Sequence, residues 1–174
     1  GEGVGTRLLD HVISAEDVTA VDVNEQNEQA YGFYLSRGFT VTGSGGQNKD
    51  LDAGVKILKG ADRARIDRLV LTDNMHGIDV HGGRDAQVTG NRITGRQNRQ
   101  MNERGNGIYV WNSPGTLLDG NMIRYGRDGI FSNASADSIY RNNTLRDLRF
   151  AVHFMYTRNT EVSGNISIGN HLGF

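Results

Sequence analysis

Cysteine is absent from the 174 residues, which excludes disulfides and thiolate metal sites and leaves the compartment open. Long apolar runs are absent too, so no stretch suffices for a membrane-spanning helix, and no secretory leader is recognisable. Neither sign of charge dominates: 19 basic and 20 acidic side chains leave a net charge of -1, which argues against a nucleic-acid surface. Arg92, Arg96, Arg99 and Arg104 form a local exception, read first as a solvated basic loop that could meet an anionic partner. Apolar residues reach only 36%, proline occurs once and glycine 24 times, a balance suited to turn-rich coils and not to a helical bundle.

What the chain does have is a beat. Asn121, Asn143 and Asn165 lie 22 residues apart. Each is followed eight positions later by a small residue (Gly129, Ala151, Gly173) and then by Ile130, Val152 or Phe174. Asn91 with Gly107 and Ile108 repeats the phrase, stretched by eight residues. Gly77 and Ile78 keep it further back, with Leu69 in the Asn position. About five copies run from residue 53 onward. A period near 22 with strand-like apolar pairs belongs to a mainly β solenoid, a parallel β-helix, in which each repeat is one coil. Equivalent residues then stack ~4.8 Å apart, and the asparagines form a structural ladder at a turn.

Alternation assigns the faces. Ile78/Val80, Ile108/Val110, Ile130/Ser132 and Val152/Phe154 point inward; Asp79/His81, Tyr109/Trp111, Phe131/Asn133 and His153/Met155 point outward. The outward row of Asp79, His81, Tyr109, Trp111 and Phe131 is either a partner or ligand surface or is covered by the insertion before Gly107 or a neighbouring segment. Imidazole with thioether suits Cu(I), and His153 with Met155, joined by His171 of the next coil, is the candidate site; ordinary surface residues are the alternative. Glycosidase chemistry needs paired carboxylates, whereas Asp79 stands alone and Asp128 and Asp147 fall elsewhere on the coil. Asp128 and Arg127 are expected to fix the turn or one another.

The first 43 residues miss the beat. A glycine turn at Gly1, Gly3 and Gly5 leads into an amphipathic helix through Leu8, Leu9, Val12 and Ile13. A strand over Val18 to Val23, a helix over Gln26 to Arg37 and a strand over Phe39 to Thr42 follow, giving a small α/β segment. An amphipathic helix laid over the first coil would also block its exposed strand edge.

Gly3-Val4-Gly5, Val23-Asn24, Asn27, Ala30, Phe33-Tyr34 and Gly38-Phe39 resemble the C-terminal half of the GNAT acyltransferase superfamily. The resemblance implies acetyl-CoA binding at Gly3, Gly5, Thr6 and Asn27, with Tyr34 as the acid that protonates the leaving thiolate. From about residue 45 onward the chain resembles the NosD family instead. Asp52-Ala53-Gly54-Val55, Gly105 to Asn112, Ile123 to Ile130 and Arg146 to Tyr156 carry that resemblance. It implies a right-handed parallel β-helix that works in the periplasm with an ABC transporter on the copper centres of nitrous-oxide reductase.

The two resemblances meet near Gly43-Ser44-Gly45-Gly46, so the chain reads as a fusion: residues 1-43 GNAT-like, 44-52 a linker, 53-174 the β-helix. The lack of an initiating Met at Gly1 and of a capping segment after Phe174 leads us to expect missing pieces at both ends. The function expected is a binding or assembly protein with a protein partner, possible copper, no nucleic acid and no membrane insertion. The alternative is a cytoplasmic acetyl-CoA-dependent N-acetyltransferase fragment.

Overall fold

The computed structural model describes residues 20-23, 40-41 and 53-174. Two short strands come first, β1 (Ala20–Val23) and β2 (Thr40–Val41), within the segments expected to be extended. Five coils follow, each with three strands. They are β3 (Ala53–Ile57), β4 (Arg65–Asp67) and β5 (Val70–Thr72); β6 (His76–His81), β7 (Gln87–Thr89) and β8 (Arg92–Thr94); β9 (Ile108–Trp111), β10 (Leu117–Asp119) and β11 (Met122–Arg124); β12 (Asp128–Asn133), β13 (Ile139–Arg141) and β14 (Thr144–Arg146); β15 (Phe150–Met155), β16 (Glu161–Ser163) and β17 (Ile166–Ile168). A short 3-10 turn, Met101–Glu103, sits in the insertion.

Strands three apart in sequence pair in parallel, so the coil closes on three faces: β15-β12-β9-β6-β3, β16-β13-β10-β7-β4 and β17-β14-β11-β8-β5. On the first face β1 continues the sheet, antiparallel to β3 with Val23 opposite Val55, and β2 follows it. The first coil is therefore edged by a strand. The helices expected in residues 1-43 lie outside the described residues.

The asparagine ladder forms as expected. The Nδ2 groups of Asn91, Asn121 and Asn143 donate to the Oδ1 of the next coil's asparagine, each at 2.9 Å. That same Oδ1 accepts the backbone N–H of Asn91, Asn121 or Asn143. The Nδ2 groups of Asn91, Asn121, Asn143 and Asn165 also donate to a carbonyl of the preceding coil, those of Ile66, Val88, Leu118 and Tyr140 respectively. Leu69 holds the ladder's first place through its N–H, which donates to Asn91 Oδ1. The residue before each rung (Arg68, Gly90, Gly120, Asn142, Gly164) has positive φ, a left-handed bend that turns the chain into the next face.

The small residue eight positions after the rung has a steric cause. A Cβ on Gly77 would stand 2.5 Å from Ile93 Cγ2 and 2.6 Å from Gly107 O, and one on Gly129 would stand 2.7 Å from Ala151 O. Backbone and the isoleucine of another face meet there without room for a branched side chain.

Within the coil, columns of Val55, Ile78, Ile108 and Ile130, of Ile66, Val88 and Leu118, and of Leu71, Ile93, Ile123 and Leu145 make one continuous apolar core. Two polar residues enter it as a matched pair. Ser132 replaces the valine of the neighbouring coil, and Tyr140 takes the place of Leu118; their hydroxyls lie 2.9 Å apart. Phe154, expected to point inward, stacks on Tyr140 at 6.0 Å yet stays partly exposed.

Replacing Asn143 by Ala strands the N–H and Nδ2 of Asn121 and the carbonyl of Leu118. Unmade buried bonds cost ~1-3 kcal/mol each, so a fall of at least ~3 kcal/mol in unfolding free energy is expected from urea titration, and Asn143→Asp, which lacks the amide donor, should not restore it. Burial pushes the Tyr140 phenol from 10.0 up to about 12. Its folded pKa is raised, so the stabilisation is complete below pH 10 and is lost as pH rises toward 12. Tyr140→Phe should show a shallower fall in thermal midpoint across that window.

Candidate functional site

The first face of the solenoid displays its outward residues in two columns. Register sets Lys56, Asp79, Tyr109, Phe131 and His153 side by side on successive coils, and His81, Trp111, Asn133 and Met155 likewise. Because coil spacing resembles the spacing of stacked rings, the columns become stacks. Tyr109 lies over Phe131 at 5.2 Å and 8°, Phe131 meets His153 at 4.8 Å, and Phe150 stacks on His153 at 4.5 Å. In the second column His81 stacks on Trp111 at 4.2 Å. His76, on the adjoining position, tilts against Tyr109 and accepts the Asn106 N–H at Nδ1.

Trp111 and Met155 are exposed, and Tyr109, Phe131 and His153 are half-buried. Burial raises the Tyr109 phenol above its ordinary value, against a bond from Asn133. Asp79 differs from the surface position expected: it is only 2% exposed, because Lys56 of the preceding coil, itself buried, reaches its Oδ2 at 3.1 Å. A buried carboxylate persists when paired in this way.

A second carboxylate anchors the other end. Asp128 is fully buried and accepts two bonds from Arg149, Nε to Oδ1 at 2.9 Å and Nη2 to Oδ2 at 2.7 Å. His153 Nδ1 lies 3.1 Å from the same Oδ2. The carboxylate raises the Arg149 pKa through those bonds. Arg127, the partner expected for Asp128, stands off at 3.6 Å, since Arg149 of the next coil occupies the bidentate geometry. Arg127 and Arg149 instead flank the stack, their guanidinium carbons 5.9 Å from the Phe131 centroid and 5.2 Å from that of Phe150.

Asp128 thus orients the His153 ring and leaves Nε2 as the nitrogen open to a ligand, the arrangement of many metal-binding histidines. Met155 follows two residues later on the same face. His171 is not brought over this pair: Leu172 bridges to Phe150, so His171 stands beside Arg149, four positions from His153. Among the described residues no three His, Asp or Glu side chains converge as a metal cage. Gly3, Gly5, Thr6, Asn27 and Tyr34 lie outside the described residues. The sequence singles out Asp128 only as a partner of Arg127, and does not single out Lys56, Arg149 or Phe150; extending each outward column one coil back finds Lys56.

The family model described as NosD, periplasmic copper-binding protein, matches residues 89-174. A probable ABC transporter binding protein NosD of Stutzerimonas stutzeri is 34% identical over 128 residues, 74% of this chain and 25% of that protein. Its counterpart in Pseudomonas aeruginosa is 34% identical over 99 residues, 54% of this chain and 23% of that protein. A 43-residue stretch is 54% identical to the peptidyl-lysine N-acetyltransferase YjaB of Escherichia coli, covering 25% of this chain and 29% of that enzyme. The chain spans about a quarter of the length of the curated relatives it matches. No helix among the described residues is long and apolar enough to cross a membrane. The β-helix of this chain is NosD-like, and a short stretch beside it resembles a GNAT acetyltransferase.

Proposed function

We propose that the β-helix is a binding and assembly module, not a catalyst, which handles copper in the periplasm with an ABC transporter during maturation of the copper centres of nitrous-oxide reductase. The observation that carries this reading is the Asp128-anchored His153, in ring contact with Phe131 and Phe150, with Met155 beside it on one open face. Copper is cargo here, and the donor set fits it. A neutral imidazole nitrogen and a thioether suit Cu(I), while two protein donors without a closed cage favour transfer over permanent retention. Tyr109, Trp111 and Phe131 continue the same face and supply aromatic area for a protein partner; aromatic side chains are enriched where protein surfaces meet.

A second reading rests on the 43-residue similarity to an N-acetyltransferase. In it the first 43 residues bind acetyl-CoA through Gly3, Gly5, Thr6 and Asn27, with Tyr34 as proton donor to the thiolate, and the chain works in the cytoplasm.

Calorimetric titration of the whole chain with Cu(I) under reducing conditions separates these readings. Binding at one site is expected, lost in His153→Ala and weakened ~10-fold or more in Asp128→Asn, whose amide cannot reproduce the carboxylate's hold on the imidazole. Copper binding indifferent to His153→Ala would remove the site from this face. Saturable acetyl-CoA binding with no response to Cu(I) would move the function to the first 43 residues.

A further inference from the structure

At the other end of the same face, Asp79 and His81 present an unmet pair of polar atoms. Asp79 Oδ1 and His81 Nδ1 are both buried and neither has a hydrogen-bond partner; they lie 3.8 Å apart. That distance is too long for a hydrogen bond. Two donors on one tetrahedral ion at ~2.1 Å stand ~3.4 Å apart, so a shift of a few tenths of an ångström in the partly exposed His81 ring would bring both atoms onto one ion. Orphaned buried atoms are costly, so a group that satisfies both at once has a free-energy reason to bind there. We propose that Asp79 and His81 form a second cation site, for a divalent transition-metal ion, held through Asp79 Oδ1 and His81 Nδ1.

Three features support a built site over a chance gap. Lys56 Nζ takes the opposite oxygen of Asp79 at 3.1 Å, which fixes the carboxylate and leaves Oδ1 turned to His81. Metal-bound carboxylates are commonly held in this way by an outer hydrogen bond. Trp111 stacks on the imidazole at 4.2 Å and 26°, fixing its plane. Alternation along β6 puts residues 79 and 81 on one side of the strand, so no backbone change is needed to bring them together. The donor chemistry also differs from that around His153. Imidazole with carboxylate suits Cu(II), Zn(II) or Ni(II), whereas imidazole with thioether suits Cu(I). The same face would then discriminate by oxidation state, its two ends taking ions of different softness. With two protein donors, water completes the coordination and the ion remains exchangeable.

Trp111 is the chain's sole tryptophan and stacks on His81, so an ion bound at Asp79 and His81 lies next to the emitting ring. The experiment is a titration of the whole chain with Cu(II), followed by Trp111 fluorescence. Saturable quenching at one equivalent is expected, reversed by Zn(II), which competes without quenching. The apparent Kd should rise ~10-fold or more in His81→Gln and in Asp79→Asn, and stay unchanged in His153→Ala. Absence of quenching, quenching that Zn(II) leaves untouched, or quenching equal in wild type and His81→Gln would overturn the proposal. So would its loss in His153→Ala. Circular dichroism establishes that each variant is folded. Should Asp79→Asn fail that control because Lys56 loses its partner, His81→Gln decides alone, since its side chain is 38% exposed and outside the packed core.

Discussion

The bond from one asparagine amide to the carbonyl oxygen of the next fixes the coil length on which everything else depends. A side chain that must meet its own copy on the adjacent coil, donate to a carbonyl and accept a backbone N–H has no freedom to slip by a residue. Slippage would turn every inward isoleucine outward and leave three buried groups unpaired at each rung. The eight extra residues between Asn91 and Gly107 are tolerated for the same reason: Asn91 still meets Asn121, 30 residues away, at 2.9 Å. The excess leaves the coil as a loop closed by its own bonds, Arg104 to the carbonyls of Arg99 and Gln97.

Once the coil length is fixed, surface chemistry becomes a matter of columns. A residue outward on one strand acquires neighbours on either side at nearly the spacing of stacked rings, whatever its identity. Tyr109, Phe131 and His153 stack for this reason, and His81 meets Trp111 in the same way. Charge follows the rule too. Lys56 and Asp79 neutralise each other as column neighbours, and Arg149 reaches Asp128 across one coil boundary. The two histidines therefore sit in unlike settings although both occupy outward positions: His153 is bonded to its carboxylate, while His81 stands off from its own.

The features legible in the sequence are those that repeat by identity. Asn121, Asn143 and Asn165 declare the period, and the small residue and the inward apolar pairs confirm it, so the coil of about 22 residues and its outward columns could be read from residues alone, while its closure on three faces could not. Features that repeat by role are hidden. The bend before each rung is filled by Arg68, Gly90, Gly120, Asn142 and Gly164, five positions united by positive φ and not by residue type. Ser113 and Ser135 form another short ladder, Ser113 N–H to Ser135 Oγ at 3.1 Å, but hydroxyl residues are too common for two of them to mark a period. Pairs that occur once are hidden more deeply. Nothing about Arg149 names Asp128, 21 residues earlier, until the coils are laid side by side. Asp79 follows the alternation and points outward; its burial depends on Lys56, a residue outside the repeated phrase.

Whole-chain charge misleads for a related reason. The net value of -1 averages two unlike parts: the first 52 residues hold 3 basic and 9 acidic side chains, and residues 53-174 hold 16 basic and 11 acidic. The β-helix is thus cationic, and near neutrality of the sum says little about what its surface attracts. Exposed charges act over roughly 10 Å at moderate salt, a range of about two coils, so the local arrangement decides the field. Near the aromatic stack that arrangement is Arg127 and Arg149 around one buried Asp128 carboxylate, with His153 on the same oxygen. One anion cannot neutralise two guanidinium groups, and the excess positive charge lies beside the rings Phe131 and Phe150. A free cation that approaches the rings meets repulsion there, whereas an anionic ligand or an acidic surface meets attraction.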